Sequence, residues 1–184
     1  MTEINYTASR LLLHKLTVTQ SQIAPSLGTD VHRATRAALL KRIAGDLTAA
    51  FVMLAEARLP GRRRLPWSTN VESVSTMLEA AGVYDDGFVM PRCRAAVRKA
   101  TRAALAEEGG QVSEVASATT FLELVIEHAA TLRDLAEQAG NEDVRYMAVE
   151  RHRRALVSLE NLDTRPDPLA LPPLPSEAPA VTVQ

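Results

Sequence analysis

The chain is short of rings and of sulfur. Aromatic residues make up 4% of 184 positions, and Cys93 is the single cysteine. One thiol cannot build a disulfide framework or a cysteine zinc site. A core with few aromatic residues argues against a β-sandwich, whose strands favour branched and ring side chains. Net charge is also missing, since 21 basic and 22 acidic side chains leave −1. That balance excludes a strongly basic nucleic-acid binder at the level of bulk charge, though not at the level of patches. No apolar run approaches the ~18 residues of a membrane span, and the opening MTEINYTASR has no signal-peptide pattern. What is present is 46% hydrophobic residues, dominated by Ala, Leu and Val, which is a composition for packed helices. The expectation is a soluble, intracellular, all-α protein.

The charge is unevenly placed. Residues 1–80 carry 10 Lys/Arg against 6 Asp/Glu, and residues 81–184 carry 11 against 16. Proline and glycine divide the pattern further. Residues 7–16 read as a short helix that ends before Pro25 and Gly28. With Asp30 as cap, a long helix is expected over about 31–57, its apolar stripe running Val31, Ala34, Leu40, Ile43, Leu47, Ala50, Phe51 and Leu54. Pro60 and Gly61 stop it. Thr69 and Glu72 have capping-box spacing before a short helix that ends at Gly82. The pattern then restarts. A helix begins around Pro91 and ends at Gly109–Gly110, and a long one covers about 118–139. Phe121, Leu124, Val125, His128, Leu132, Leu135 and Ala136 line one face of it. A short helix follows at about 148–161. From Asp163 onward six of the ten prolines fall in 22 residues, which suits an extended or disordered tail. The order is short–long–short twice, then a Pro-rich tail, and two such units can bury their long helices against each other.

Local sequence supports one family. FVMPRCRAAVRK (88–99) resembles the Phe-Pro-Val-Gly-Arg opening of the nucleosomal histone that carries the acidic patch. TTFLELVIEH (119–128) is similar to the start of its central helix, and ERHRRALVSLENL (150–162) to its last helix. In the first half, KRIAGDL (41–47) and STNVESVSTMLEAAG (68–82) resemble the matching segments of its dimer partner. The order is that of fused histone doublets of large DNA viruses, and the resemblance covers about residues 8–175. It implies two tandem histone folds (1–84 and 85–162) in an intramolecular handshake dimer, with a Pro-rich extended tail at 163–184. It further implies non-specific packaging of double-stranded DNA with a second histone pair or doublet. The place would be a chromatin-like particle, a virion, a viral factory or host nucleus, or else an intracellular nucleoid. The sequence departs from the family in four ways. It lacks a basic N-terminal tail, its first long helix is about two turns longer, the stretch 100–118 is extended, and it has Tyr146–Met147 where the family has Thr-Arg in the last loop.

Histones grip DNA with helix N-termini and with arginines that reach phosphates and the minor groove. The cations in matching places are Arg62, Arg63 and Arg64 in the first half, and Arg92, Arg94, Arg98, Lys99 and Arg102 in the second. Arg94, Arg98 and Arg102 recur every four residues and share a helix face, opposite Cys93, Ala96, Val97, Ala100 and Ala104. That pattern also describes the solvated side of any amphipathic helix. Glu127 and Glu160 fall where the family has acidic-patch carboxylates. His128 near Glu123 and Glu127 lacks a second histidine, so it reads as a core-facing ring and not a metal ligand. No catalytic set, phosphate loop, cofactor motif or small-molecule site stands out, and no enzyme is expected. Two other readings remain. One is a helix-turn-helix regulator built on TQSQIAPSLGTD (19–30), in which Pro25 would interrupt the first helix. The other is a helical assembly or adaptor protein that binds no DNA.

Overall fold

Capping side chains and left-handed glycines set the helix limits in the computed structural model, which describes residues 6–27, 31–61, 64–66, 69–83 and 89–163. Among the described residues six α-helices form: α1 Tyr6–Ile23, α2 Arg33–Arg58, α3 Val71–Ala80, α4 Val89–Gly109, α5 Glu114–Gln138 and α6 Glu142–Asp163. No strand occurs among the described residues. The all-α expectation holds. Asp30, Arg62, Arg63 and the segment 164–184 lie outside the described residues.

Helix lengths depart from the short–long–short expectation. The α1 helix has 18 residues and continues seven beyond Leu16, with the hydroxyls of Thr17, Thr19 and Ser21 donating to carbonyls one turn back. Its added turns also bury Thr19, Gln20 and Ile23. Pro25 then sits in a 3₁₀ turn, Ala24–Ser26, so the proposed helix-turn-helix segment begins as the buried end of a long helix. In the second half α4, α5 and α6 have 21, 25 and 22 residues. The α5 helix starts at 114, not 118, because Ser113 Oγ accepts from Ala116 N. The α6 helix starts at 142, not 148. Asn141 Oδ1 accepts from Val144 N, and Glu142 and Asp143 complement the first-turn dipole. Between α5 and α6, Gly140 adopts φ +66°, and Asn141 N donates to Ala136 O at 2.9 Å, closing a Schellman turn.

The α3 cap is a correction too. The N-cap is Asn70, whose side chain accepts from Ser73 N, and Glu72 is turned away to another helix instead of closing a capping box with Thr69. The α2 helix is capped by His32 and buries Leu40, Ile43, Leu47, Ala50, Phe51 and Leu54 as the stripe requires, but Ala34 is exposed and Val31 only half-buried.

The packing is a layered bundle. The α2 and α4 helices lie antiparallel along their lengths, with Arg33 beside Glu107 at one end and Arg58 beside Met90 at the other. The α4 and α5 helices are also antiparallel, with Arg92 meeting Asp134 and Glu107 meeting Ser117. The α6 helix folds back on α5. Consequently α2 and α5 run parallel, their starts joined through Arg36 and Glu114. One core draws Leu12, Ile43, Phe51 and Val74 from the first half and Met90, Phe121 and Leu132 from the second. Each fully buried side chain of this kind contributes about 1.5–3 kcal/mol.

Candidate nucleic-acid interface

The cations of α4 stand on a helix whose inner face is fixed by burial. Cys93, Ala96, Val97, Ala100 and Ala104 are all in the core, as the spacing requires, so Arg94, Arg98 and Arg102 must turn outward. What the one-helix pattern could not contain is the acids that come to meet them.

Arg98 forms a two-pronged bond with Glu72 of α3, Nε to Oε1 at 2.8 Å and Nη2 to Oε2 at 2.7 Å. That bond holds the Glu72 carboxyl below the usual carboxylate range and raises the Arg98 guanidinium. Lys99 pairs with Glu123 of α5. Arg92 is largely buried between Asp134, at 2.9 Å from Nη2, and Glu127, whose Oε2 lies 2.9 Å from Nε. The latter contact is Coulombic, because its alignment falls short of a hydrogen bond. Arg94 is half-buried with its Nη1 3.4 Å from Ser75 Oγ. Arg102 is exposed, and its Nε donates to the Arg98 carbonyl at 3.3 Å. Arg64 is exposed in the segment after α2.

Exposed ion pairs of this sort stabilise a fold by only about 0–1 kcal/mol each. Their effect on a polyanion is larger in kind. A carboxylate at contact distance cancels the field of its cation within the ~8 Å over which charge is felt at physiological salt. A phosphate approaching α4 therefore meets dipoles at Arg98 and Lys99.

An open groove of about 560 Å³ between α4 and α5 is lined by alanines, with Lys99 and Arg102 on one side. Glu107 and Ser117 also line it, and the Glu107 carboxylate is almost fully buried with Oε2 lacking a hydrogen bond. Its charge is met by Arg36 at 3.6 Å and by Arg33 at 3.8 Å.

Of the two acidic-patch candidates, Glu127 faces Arg92 from α5, and Glu160 is exposed near the end of α6. His128 is a core ring. Its Nε2 bonds Asp46 of α2, and its Nδ1 accepts from Gln20 of α1 at 2.8 Å. Among the described residues no group of three or more His, Cys, Asp or Glu could hold a metal ion, and no helix is long and apolar enough to cross a membrane.

Two buried ionic clusters were not anticipated. Asp46 joins His128 and Lys15, and Arg36 joins Glu107, Glu114 and Ser117 where α2, α4 and α5 meet. The signal was present in part. Asp46 lies between Ile43 and Leu47 on the apolar stripe, and Arg36 lies four residues before Leu40 on the same stripe. A charge at such a position needs a buried partner. Which partner it finds is a matter of tertiary packing.

Comparison with protein-family models, with curated proteins and with solved structures finds no match for this chain.

Proposed function

We propose that this chain is a helical protein–protein assembly module that does not hold DNA through α4. The observation that carries the reading is the pairing of Arg92, Arg98 and Lys99 with Asp134, Glu127, Glu72 and Glu123. A surface built for phosphate leaves its cations unneutralised, because affinity comes from the counterions they release. Near-zero net charge agrees with this.

A second reading, a histone-like doublet that packages double-stranded DNA with another histone pair, is favoured by the five segments that resemble histones and by the exposure of Arg64 and Arg102. Under it, the more basic partner pair would supply most of the grip. Nuclease digestion of a ~200-base-pair duplex separates the two, since a full histone particle protects about 147. The assembly reading expects no protected fragment, with this chain alone or with a histone pair of the complementary type. A discrete fragment only in the mixture overturns it in favour of the doublet.

A further inference from the structure

The helices are not fastened alike. The two buried ionic clusters tie α1, α2, α4 and α5 together, Asp46 with His128 and Lys15, and Arg36 with Glu107, Glu114 and Ser117. The α3 helix belongs to neither. Its ten residues bury Val71, Val74, Ser75 and Leu78 along one face. Its ion pair to α4 stands in solvent, with the Glu72 and Arg98 side chains 64% and 49% exposed. Arg94 adds a longer contact, 3.4 Å from Nη1 to Ser75 Oγ. Both ends of α3 are closed from within. Asn70 caps the start, and at the far end Gly82 adopts φ +66° while Val83 N donates to Leu78 O at 2.9 Å.

The surface beside α3 is apolar. The α2 helix is buried at every position from Ala49 to Ala55, so it has no solvent side over that stretch. The α3 helix packs on α2. Its partners Arg94 and Arg98 stand in the first half of α4, which runs antiparallel beside the second half of α2. That places α3 at the level of the buried run.

We propose that α3 is a detachable cover. It leaves the bundle as one cooperative unit while the other helices stay packed, and the Arg98–Glu72 pair is its latch. Elements that move are drawn from the least firmly held parts of a structure. A helix of this length does not persist alone in water, so α3 unfolds once it leaves. Departure bares apolar surface of α2 and frees the Arg98 guanidinium together. The inference stands apart from the choice between the two functions above, because the latch would gate either one. Assembly would use the apolar face, and packaging would use Arg98.

Thiol labelling tests the cover within one molecule, the full chain carrying Val74→Cys and keeping Cys93. Residues 74 and 93 are both buried, the first under α3 and the second in the α4 core. Peptide mass analysis after timed exposure to a thiol reagent gives both rates, and the rates in full denaturant convert each to a protection factor. Residue 74 should be roughly tenfold less protected than Cys93. Adding Glu72→Gln should lower protection at 74 further and leave Cys93 unchanged. Equal protection at the two sites means that α3 leaves only with the whole bundle, and overturns the cover. A Glu72→Gln effect that is absent at 74, or equal at both sites, overturns the latch. Because Val74→Cys itself thins the packing under α3, hydrogen exchange of the unaltered chain is the second measurement. Amides 74–80 should exchange together, roughly tenfold less protected than amides 49–55 of α2. Exchange that creeps inward from the ends of α3, or that matches α2, overturns the proposal.

Discussion

Nε2 of His128 on α5 lies 2.9 Å from Oδ2 of Asp46 on α2, and both side chains are sealed from water. Since the Gln20 amide donates to Nδ1, the ring proton sits on Nε2 and is donated to Asp46. Lys15, half-exposed on α1, reaches the other carboxylate oxygen at 3.4 Å. Three helices are thus registered by one polar cluster inside an apolar core. Removing one member strands the rest. His128→Leu should destabilise the protein by about 3–5 kcal/mol, because the Asp46 charge remains in the core. Asp46→Leu with His128→Leu should cost less than the sum of the two single changes, since neither charge nor ring is then left unpaired. Denaturant midpoints of the three variants measure this, and additive losses would contradict it.

The second cluster makes a sharper comparison between neighbouring arginines. Arg36 is 5% exposed and contacts Glu107, Glu114 and Ser117, whereas Arg33, one turn earlier, is 30% exposed. Arg36→Ala leaves the buried Glu107 carboxylate with the Ser117 hydroxyl and a more distant Arg33, and should cost about 3–5 kcal/mol. Arg33→Ala should cost about 1 kcal/mol, because solvent compensates an exposed pair. Glu107→Gln in the Arg36→Ala background should recover part of the loss.

Much of this architecture was legible, and what escaped shares one cause. The inner faces of α4 and α5 follow from spacing alone: Cys93, Ala96, Val97, Ala100 and Ala104 are buried, and so are all seven residues expected on α5. Periodicity reports which side of a helix is inside. Helix ends were harder, because burial of Thr19, Gln20 and Ile23 carries α1 on past Leu16, and the Asn141 cap starts α6 at 142 instead of about 148. The candidate site was legible only as a row of cations. Their partners stand 24 to 42 residues away, from Glu123 for Lys99 to Asp134 for Arg92, and no local pattern links them.

Cys93 supplies a direct report on the core. It is buried beside Thr131, and burial pushes its thiol up from the usual range. A raised and inaccessible thiol gives little thiolate for attack on a disulfide reagent. In the native protein at mildly alkaline pH its labelling should be slow and should track unfolding as denaturant is added. Fast stoichiometric labelling under native conditions would mean that α4 opens locally.

Stability should fall with acid in two stages. Burial, reinforced by Arg133, holds the His152 imidazole below its ordinary 6.5. The unfolded chain therefore takes up that proton first, and the contribution present above about pH 6.5 is lost as pH falls through the lower folded value. Carboxylates follow. Arg153 and Arg154 hold Glu150 down at about 2 against an ordinary 4.5, and Glu72 and Glu114 are lowered by Arg98 and Arg36. Their contribution is complete above about 4.5 and disappears between there and about 2. Denaturant midpoints across pH 2–7.5 should show both stages. Arg153→Ala with Arg154→Ala should shrink the second and leave the first.

The neutralised cations of α4 make the choice of function measurable without a partner. Glu72→Gln with Glu123→Gln removes the carboxylates from Arg98 and Lys99, and both pairs are exposed enough that stability should change little. Two cations are then free to displace counterions from a duplex. Under the assembly reading, the unaltered chain should show no salt-dependent duplex binding. The double variant should gain weak binding whose logarithm falls against log salt with a slope of roughly −1.8, or about 0.9 per phosphate contact. If the unaltered chain already binds with that slope, phosphate displaces the carboxylates unaided, and the ion pairs no longer argue against packaging.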